Sequence, residues 1–140
     1  MIKQMNTDAE IRATYPVMKQ LRSHLSEDQY LAAVRRQGEN GNYRIAAVVD
    51  GAGVPRCVAG YRLTECLCWG KFMYVDDLVT DENARSENYG HRMMEWLVSE
   101  AKNNECKRVH LDSGVQRHSA HRFYLRERMD IIAYHFAMAV

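Results

Sequence analysis

The sequence predicts an α/β (α+β) domain built on a mixed, mostly antiparallel central sheet with helices on both faces. Three observations predict it. Helical and strand periodicities alternate along the chain in the order ααβββαβαβ. A turn signal joins the first two strand-like runs into a hairpin, which makes the opening of the sheet antiparallel. Two strand–helix–strand stretches follow, and crossovers of that kind are right-handed, which leaves few topologies.

Each element has its own signal. From Asp8 to Leu25, the residues Ile11, Tyr15, Met18, Leu21 and Leu25 recur at steps of three and four, as one helical face requires. Pro16 bends this segment or marks a restart. Ser26 reads as an N-cap, with Gln29 completing a capping box, and Tyr30, Leu31 and Val34 form the stripe behind it. Gly38 to Gly41 closes that second helix. Tyr43–Val49 and Cys57–Leu63 are the arms of a hairpin around Asp50-Gly51-Ala52-Gly53. Phe72–Thr80 is a longer strand set off by Gly70. Met94, Leu97, Val98 and Ala101 then mark a helix over His91–Asn103. Arg108–Asp112 reads as a short strand, Ser119–Glu127 as a helix, and Ile131–Met138 as a final strand.

Composition narrows the function. With 140 residues, 46% apolar and 26% charged, the chain is long enough for one core, and residues 1–140 are expected to form a single domain. Nineteen basic against eighteen acidic residues give a net charge of +1, so no global field draws the chain to nucleic acid. No apolar run approaches the roughly 20 residues that span a bilayer. The polar stretch Met1–Glu10 lacks the apolar core of a signal peptide, and the expectation is a soluble, cytoplasmic protein without membrane partners. The four cysteines, at 57, 66, 68 and 106, form no paired zinc motif; Cys66 and Cys68 are too close for an ordinary mutual disulfide, and reduced core thiols are expected. His118 and His121, three apart, have no acidic or cysteine residue at a spacing that completes a metal site, so no metal is expected. His118 also suits a proton path.

The chemistry concentrates before the third helix. Asp81 to Gly90 joins a strand to a helix start through a loop holding Arg85, small residues and Gly90. Backbone N–H groups and the positive end of a helix favour an anion such as phosphate there, and Arg85 adds a charge-assisted contact. The same pattern also fits an ordinary polar loop. On the preceding strand, Asp76 and Asp77 are consecutive, so alternation sends them to opposite faces and only one lines a given site directly. By phase, Asp76 belongs with Tyr74 and Leu78, and Asp77 with Val75 and Val79.

Arg85-Ser86-Glu87-Asn88-Tyr89-Gly90 resembles the Arg/Gln-x-x-Gly-x-Gly/Ala signature of the GNAT superfamily of N-acetyltransferases. Asp76-Asp77-Leu78-Val79-Thr80 is similar to the strand before that signature, and Ala120-His121-Arg122-Phe123-Tyr124 to the Ala-x-x-x-Tyr helix after it. The element order matches as well, so the resemblance covers nearly the whole chain and implies the GNAT-like fold. It departs at Asn88, where the family carries the first signature glycine, and at Arg128-Met129, where Gly-Phe is usual.

The resemblance implies acetyl transfer from acetyl-coenzyme A to a primary amine of a small molecule or peptide, by direct attack in a ternary complex. Acetyl-CoA is then a co-substrate. Its pyrophosphate falls to Arg85, Ser86, Glu87, Asn88, Tyr89 and Gly90, with His91 in the first helical turn. The backbone of Leu78, Val79 and Thr80 pairs with the pantetheine arm, and Arg117 stands where relatives place an Asn on that arm. Tyr124 matches the general acid that protonates the departing sulfur, and Asp76 the base used by some similar enzymes. Asp77 is assigned to substrate binding, since a carboxylate attracts a cationic amine. Relatives often pair, which implies a homodimer. The departures at 88 and 128 keep a second reading open, a GNAT-like module that binds an acyl-CoA without turnover.

Overall fold

A computed structural model describes residues 1–140, apart from the side chain of Ser86. The elements, in chain order, are β1 (Ile2–Gln4), α1 (Asp8–Leu21), α2 (Glu27–Gly41), β2 (Tyr43–Val49), β3 (Pro55–Cys66), β4 (Gly70–Thr80), a 3-10 helix (Glu82–Glu87), α3 (Tyr89–Asn103), β5 (Val109–Leu111) and α4 (His118–Arg126). The five strands lie in the order β1-β2-β3-β4-β5. The first four pair antiparallel. Between β4 and β5, the bonds from Lys107 N–H to Lys71 C=O and from Met73 N–H to Arg108 C=O advance along both chains, the parallel sense. The sheet is therefore mixed and mostly antiparallel.

The chain divides into two compact units, Met1–His110 and Leu111–Val140. In the first, alternation sorts β2 and β3 onto two faces. Tyr43, Ile45, Ala47 and Val58 pack with Ile11, Val17 and Met18 of α1 and Tyr30 and Val34 of α2. On the other face, Tyr61 meets Trp96 of α3 edge-on at 5.9 Å, above buried Met93, Leu97 and Ala101. Helices therefore cover both faces of the sheet.

The caps follow the sequence closely. Thr7 and Ser26 each form a full capping box, with Glu10 and Gln29. α1 ends at Leu21, short of Leu25, and Pro16 sits inside it without breaking it. The strand β1, unread in the sequence, is three residues long, too short for a period of two to show.

In the second unit, α4 ends in a Schellman turn. Arg128 N–H donates to Leu125 C=O and Met129 N–H to Tyr124 C=O, with Arg128 at φ 65°. The segment 131–138, predicted as a final strand, forms none. A strand needs a neighbour for its N–H and C=O groups, and none of the described strands pairs with it. Tyr134, Phe136 and Met138 are accordingly almost fully exposed.

Candidate functional site

The site is organised by one irregularity in the β3–β4 ladder. Gly60 pairs with Asp77, but its neighbour Tyr61 pairs with Val75, so Asp76 is an extra residue, a β-bulge. The bulge corrects the phase expected from alternation. Past it, Asp77 shares a face with Tyr74 and Val79, while Leu78 joins Val75. Asp76 contacts Arg62, which lies opposite Tyr74, and Asp77 contacts Tyr43, which lies opposite Arg62. Both carboxylates therefore reach the face covered by α1 and α2.

Two guanidinium groups organise that face. Arg62 Nε donates to both oxygens of Asp76 at 3.1 and 3.0 Å, and its other nitrogens reach Gly41 C=O and Gln37 Oε1. Its guanidinium also lies 5.2 Å from the centre of the Tyr43 ring. Arg22, the C-cap of α1, donates from Nε to Asp77 Oδ1 at 2.7 Å and from a terminal nitrogen to the Asp76 carbonyl at 3.1 Å. Tyr43 donates its hydroxyl to Asp77 Oδ2 at 2.5 Å. Gly60 makes room for this bond, because a Cβ there would lie 1.8 Å from the Tyr43 hydroxyl oxygen.

Burial dominates the electrostatics of Asp76 and Tyr43. Burial raises the Asp76 carboxyl above its ordinary value; Arg62 pulls it back and the neighbouring Asp77 pushes it up again. Tyr43 is raised well above the usual phenol range, first by burial and then by Asp77, so it remains a donor. Two carboxylates against two guanidiniums leave the cluster without net charge. It can offer Asp76 to a hydrogen-bonding partner, but it is not an acidic patch.

The remaining predicted residues fall in two further places. Leu78, Val79 and Thr80 end β4 and pair with Ala59, Val58 and Cys57 of β3. Arg85 and Glu87 lie exposed on the 3-10 helix; Ser86 follows Arg85 there, its side chain outside the described residues. Asn88 takes the left-handed conformation, φ 62° and ψ 21°, and caps α3 without a side-chain bond. Asn tolerates this geometry better than other non-glycine residues, so Asn88 takes a backbone conformation that glycine would also adopt freely. Tyr89, Gly90 and His91 form the first turn of α3, where there is no acidic residue. His91 lies 3.4 Å from Glu95. Arg117 precedes α4 and Tyr124 lies on it, both in the second unit.

Arg62, Arg22, Tyr43 and Gln37 escaped the sequence reading. One signal was present: Arg62 is a lone cation in the otherwise apolar arm Cys57–Leu63. The expectation of core thiols holds only for Cys57; Cys66 and Cys106 are half-buried and Cys68 is exposed. Among the described residues, no three His, Cys, Asp or Glu side chains group as metal ligands. His121 instead bonds the Gly114 carbonyl at 2.7 Å. A cavity of about 220 Å³ is lined by Met5, Ile11, Val34, Glu39, Tyr43 and Ile45. It is smaller than ordinary ligand pockets.

The bulged β4 with its acidic pair, the 3-10 helix and the start of α3 follow one another along the chain. The chain belongs to the acetyltransferase (GNAT) family, whose model matches residues 8–129. It is 29% identical over 123 residues to YhdJ of Bacillus subtilis, described as an uncharacterized N-acetyltransferase, covering 88% of this chain and 86% of that protein. Its fold is similar to a GNAT family acetyltransferase from Staphylococcus aureus, with TM-score 0.82, 13% identity and coverage of 100% and 98%. It is also similar to glucosamine-6-phosphate N-acetyltransferase from Arabidopsis thaliana, with TM-score 0.78, 17% identity and coverage of 99% and 97%. Among the described residues, no helix is long and apolar enough to cross a membrane.

Proposed function

We propose that this chain is an acetyl-CoA-dependent N-acetyltransferase acting on a primary amine of a small molecule or peptide. The observation that carries the reading is the bulge that turns Asp76 and Asp77 to one face, ahead of an α3 start free of acidic residues. Family membership supports acyl transfer, and the match over residues 8–129 supports reading the chain as one catalytic domain.

Acetyl-CoA supplies the activated thioester. The residues present fit it: the positive end of α3 carries no acidic residue in its first turn, and Arg85 adds positive charge on the preceding 3-10 helix. Ser86, Glu87, Asn88, Tyr89, Gly90 and His91 complete that cradle. Leu78, Val79 and Thr80, bonded to β3 along one edge, are assigned to the pantetheine arm. Arg117 is assigned to the same cofactor.

Asp76 accepts the proton of the acceptor ammonium, directly or through one water. Asp77 binds the acceptor side and, held by Arg22 and Tyr43, fixes the strand end. Tyr124 donates its hydroxyl proton to the departing sulfur. Attack is direct, so no cysteine nucleophile is needed. The reading as a binding module drew its support from Asn88 and Arg128, yet both adopt the left-handed backbone that glycine provides.

The test combines binding with turnover. Acetyl-CoA at millimolar concentration should raise the melting temperature, and a panel of amines should reveal transfer that drops in Tyr124→Phe. No thermal shift overturns the acetyl-CoA assignment; a shift with equal slow rates in both proteins favours the binding module. A homodimer and a cytoplasmic location belong to the same proposal. The exposed apolar residues of segment 131–138 support self-association, measurable by sedimentation.

A further inference from the structure

The tip of the β3–β4 hairpin carries a second chemical site. Cys66 ends β3 opposite Gly70, the first residue of β4, and Leu67, Cys68 and Trp69 form the turn between them. Gly70 at φ +68° supplies the left-handed residue that such a short loop needs. Leu67 is fully exposed. Trp69 anchors one side of the turn, stacked on His110 at 4.0 Å and edge-on to Phe72 at 5.3 Å. The other side presents two sulfurs: Cys66 Sγ and Cys68 Sγ lie 3.7 Å apart at the surface.

The sequence spacing argues against an ordinary disulfide, but the turn changes the geometry. A disulfide needs its sulfurs at about 2.05 Å, less than 2 Å from where they stand. Side-chain rotation in an exposed turn can supply that without moving the strands. The other thiols are placed differently. Cys57 is buried, out of reach of a disulfide in solution, and burial pushes its thiol up to about 11; contact with Cys66 raises the Cys68 thiol too, so access sets the pair apart. Cys106 is half-buried and lies beyond α3.

We propose that Cys66 and Cys68 form a redox modification site that closes to a disulfide by exchange with a low-molecular-weight disulfide such as oxidised glutathione. The thiolate of one cysteine attacks the small disulfide, forming a mixed disulfide and releasing one small thiolate. The second cysteine, as thiolate, attacks the protein sulfur of that bond and releases the other. The two protein thiols lose two protons and two electrons, and the small disulfide leaves as two thiols. Closure locks the hairpin tip beside Trp69. The site lies at the opposite end of β4 from Asp76–Thr80 and is independent of the acetyl-transfer proposal.

The test uses the full-length reduced protein, oxidised glutathione, alkylation of the remaining thiols and peptide mass spectrometry. The expected product is a peptide joined at Cys66 and Cys68, lighter by two hydrogens, with the free thiols falling from four to two. Cys66→Ser and Cys68→Ser should each stop at a single glutathione adduct, while Cys106→Ser closes as the wild type does. Trp69 fluorescence should change on oxidation of the wild type and of Cys106→Ser, and not in Cys68→Ser. Persistent glutathione adducts on the wild type, full alkylation of both cysteines, or loss of closure in Cys106→Ser would each overturn the proposal.

Discussion

Asp76 is held between opposing influences, burial raising its carboxyl and Arg62 lowering it, with burial ahead. A raised carboxyl is favoured in its protonated form by the fold. Its contribution to stability is complete below about pH 4 and is lost as pH rises through the folded value. The same shift moves a general base toward working pH. Asp76→Asn should therefore lower kcat/KM by about 10²–10⁴-fold and remove the acid limb of the pH–rate profile, with the fold retained by circular dichroism. Arg128 illustrates a different cost. It sits at φ 65° at the end of α4, where a side chain costs about 1–2 kcal/mol against glycine. After the extra unfolded-state freedom of glycine, Arg128→Gly should stabilise the protein by about 0.5–1 kcal/mol, measured by thermal or urea unfolding.

The bulge in β4 brings Asp76 and Asp77 to one face, and Gly60 is its counterpart in β3. Gly60→Ala places a methyl on the Tyr43 ring, which must move and release Asp77. The expected loss is about 2–3 kcal/mol, accompanied by a fall in acetyl transfer at temperatures where the variant remains folded. The α1 capping box offers a pH signature of opposite sign to Asp76. Backbone N–H groups of Thr7 and Asn6, followed by Lys3, hold Glu10 at about 2. A depressed carboxyl contributes stability present above its unfolded value, near 4.3, and lost as pH falls through about 2. Glu10→Gln should therefore flatten the decline in melting temperature over that acid range.

Across the molecule, local patterns were legible wherever one segment carried its own signal. The Ser26 capping box, the hairpin around Gly51, the α1–α2 apolar stripes and the β-branched and aromatic run of β2 follow from short-range periodicity, composition and cap chemistry. The family signature was equally local, because a strand, an anion loop and a helix start are contiguous. The site was only half legible. Asp76 and Asp77 could be named from the chain, but their common face could not, since a bulge is a property of two strands in register. Arg62, Arg22 and Tyr43 come from three elements separated by tens of residues, and no spacing rule joins them. The strand predicted over 131–138 failed for the same reason: its apolar run suits a strand, yet pairing requires a partner edge. The sequence thus pointed to candidate residues and to most of the helices and strands, because those signals are local. Register and packing decided which of those residues meet, because a contact between distant segments depends on the energy of the whole fold rather than on the pattern of any one stretch.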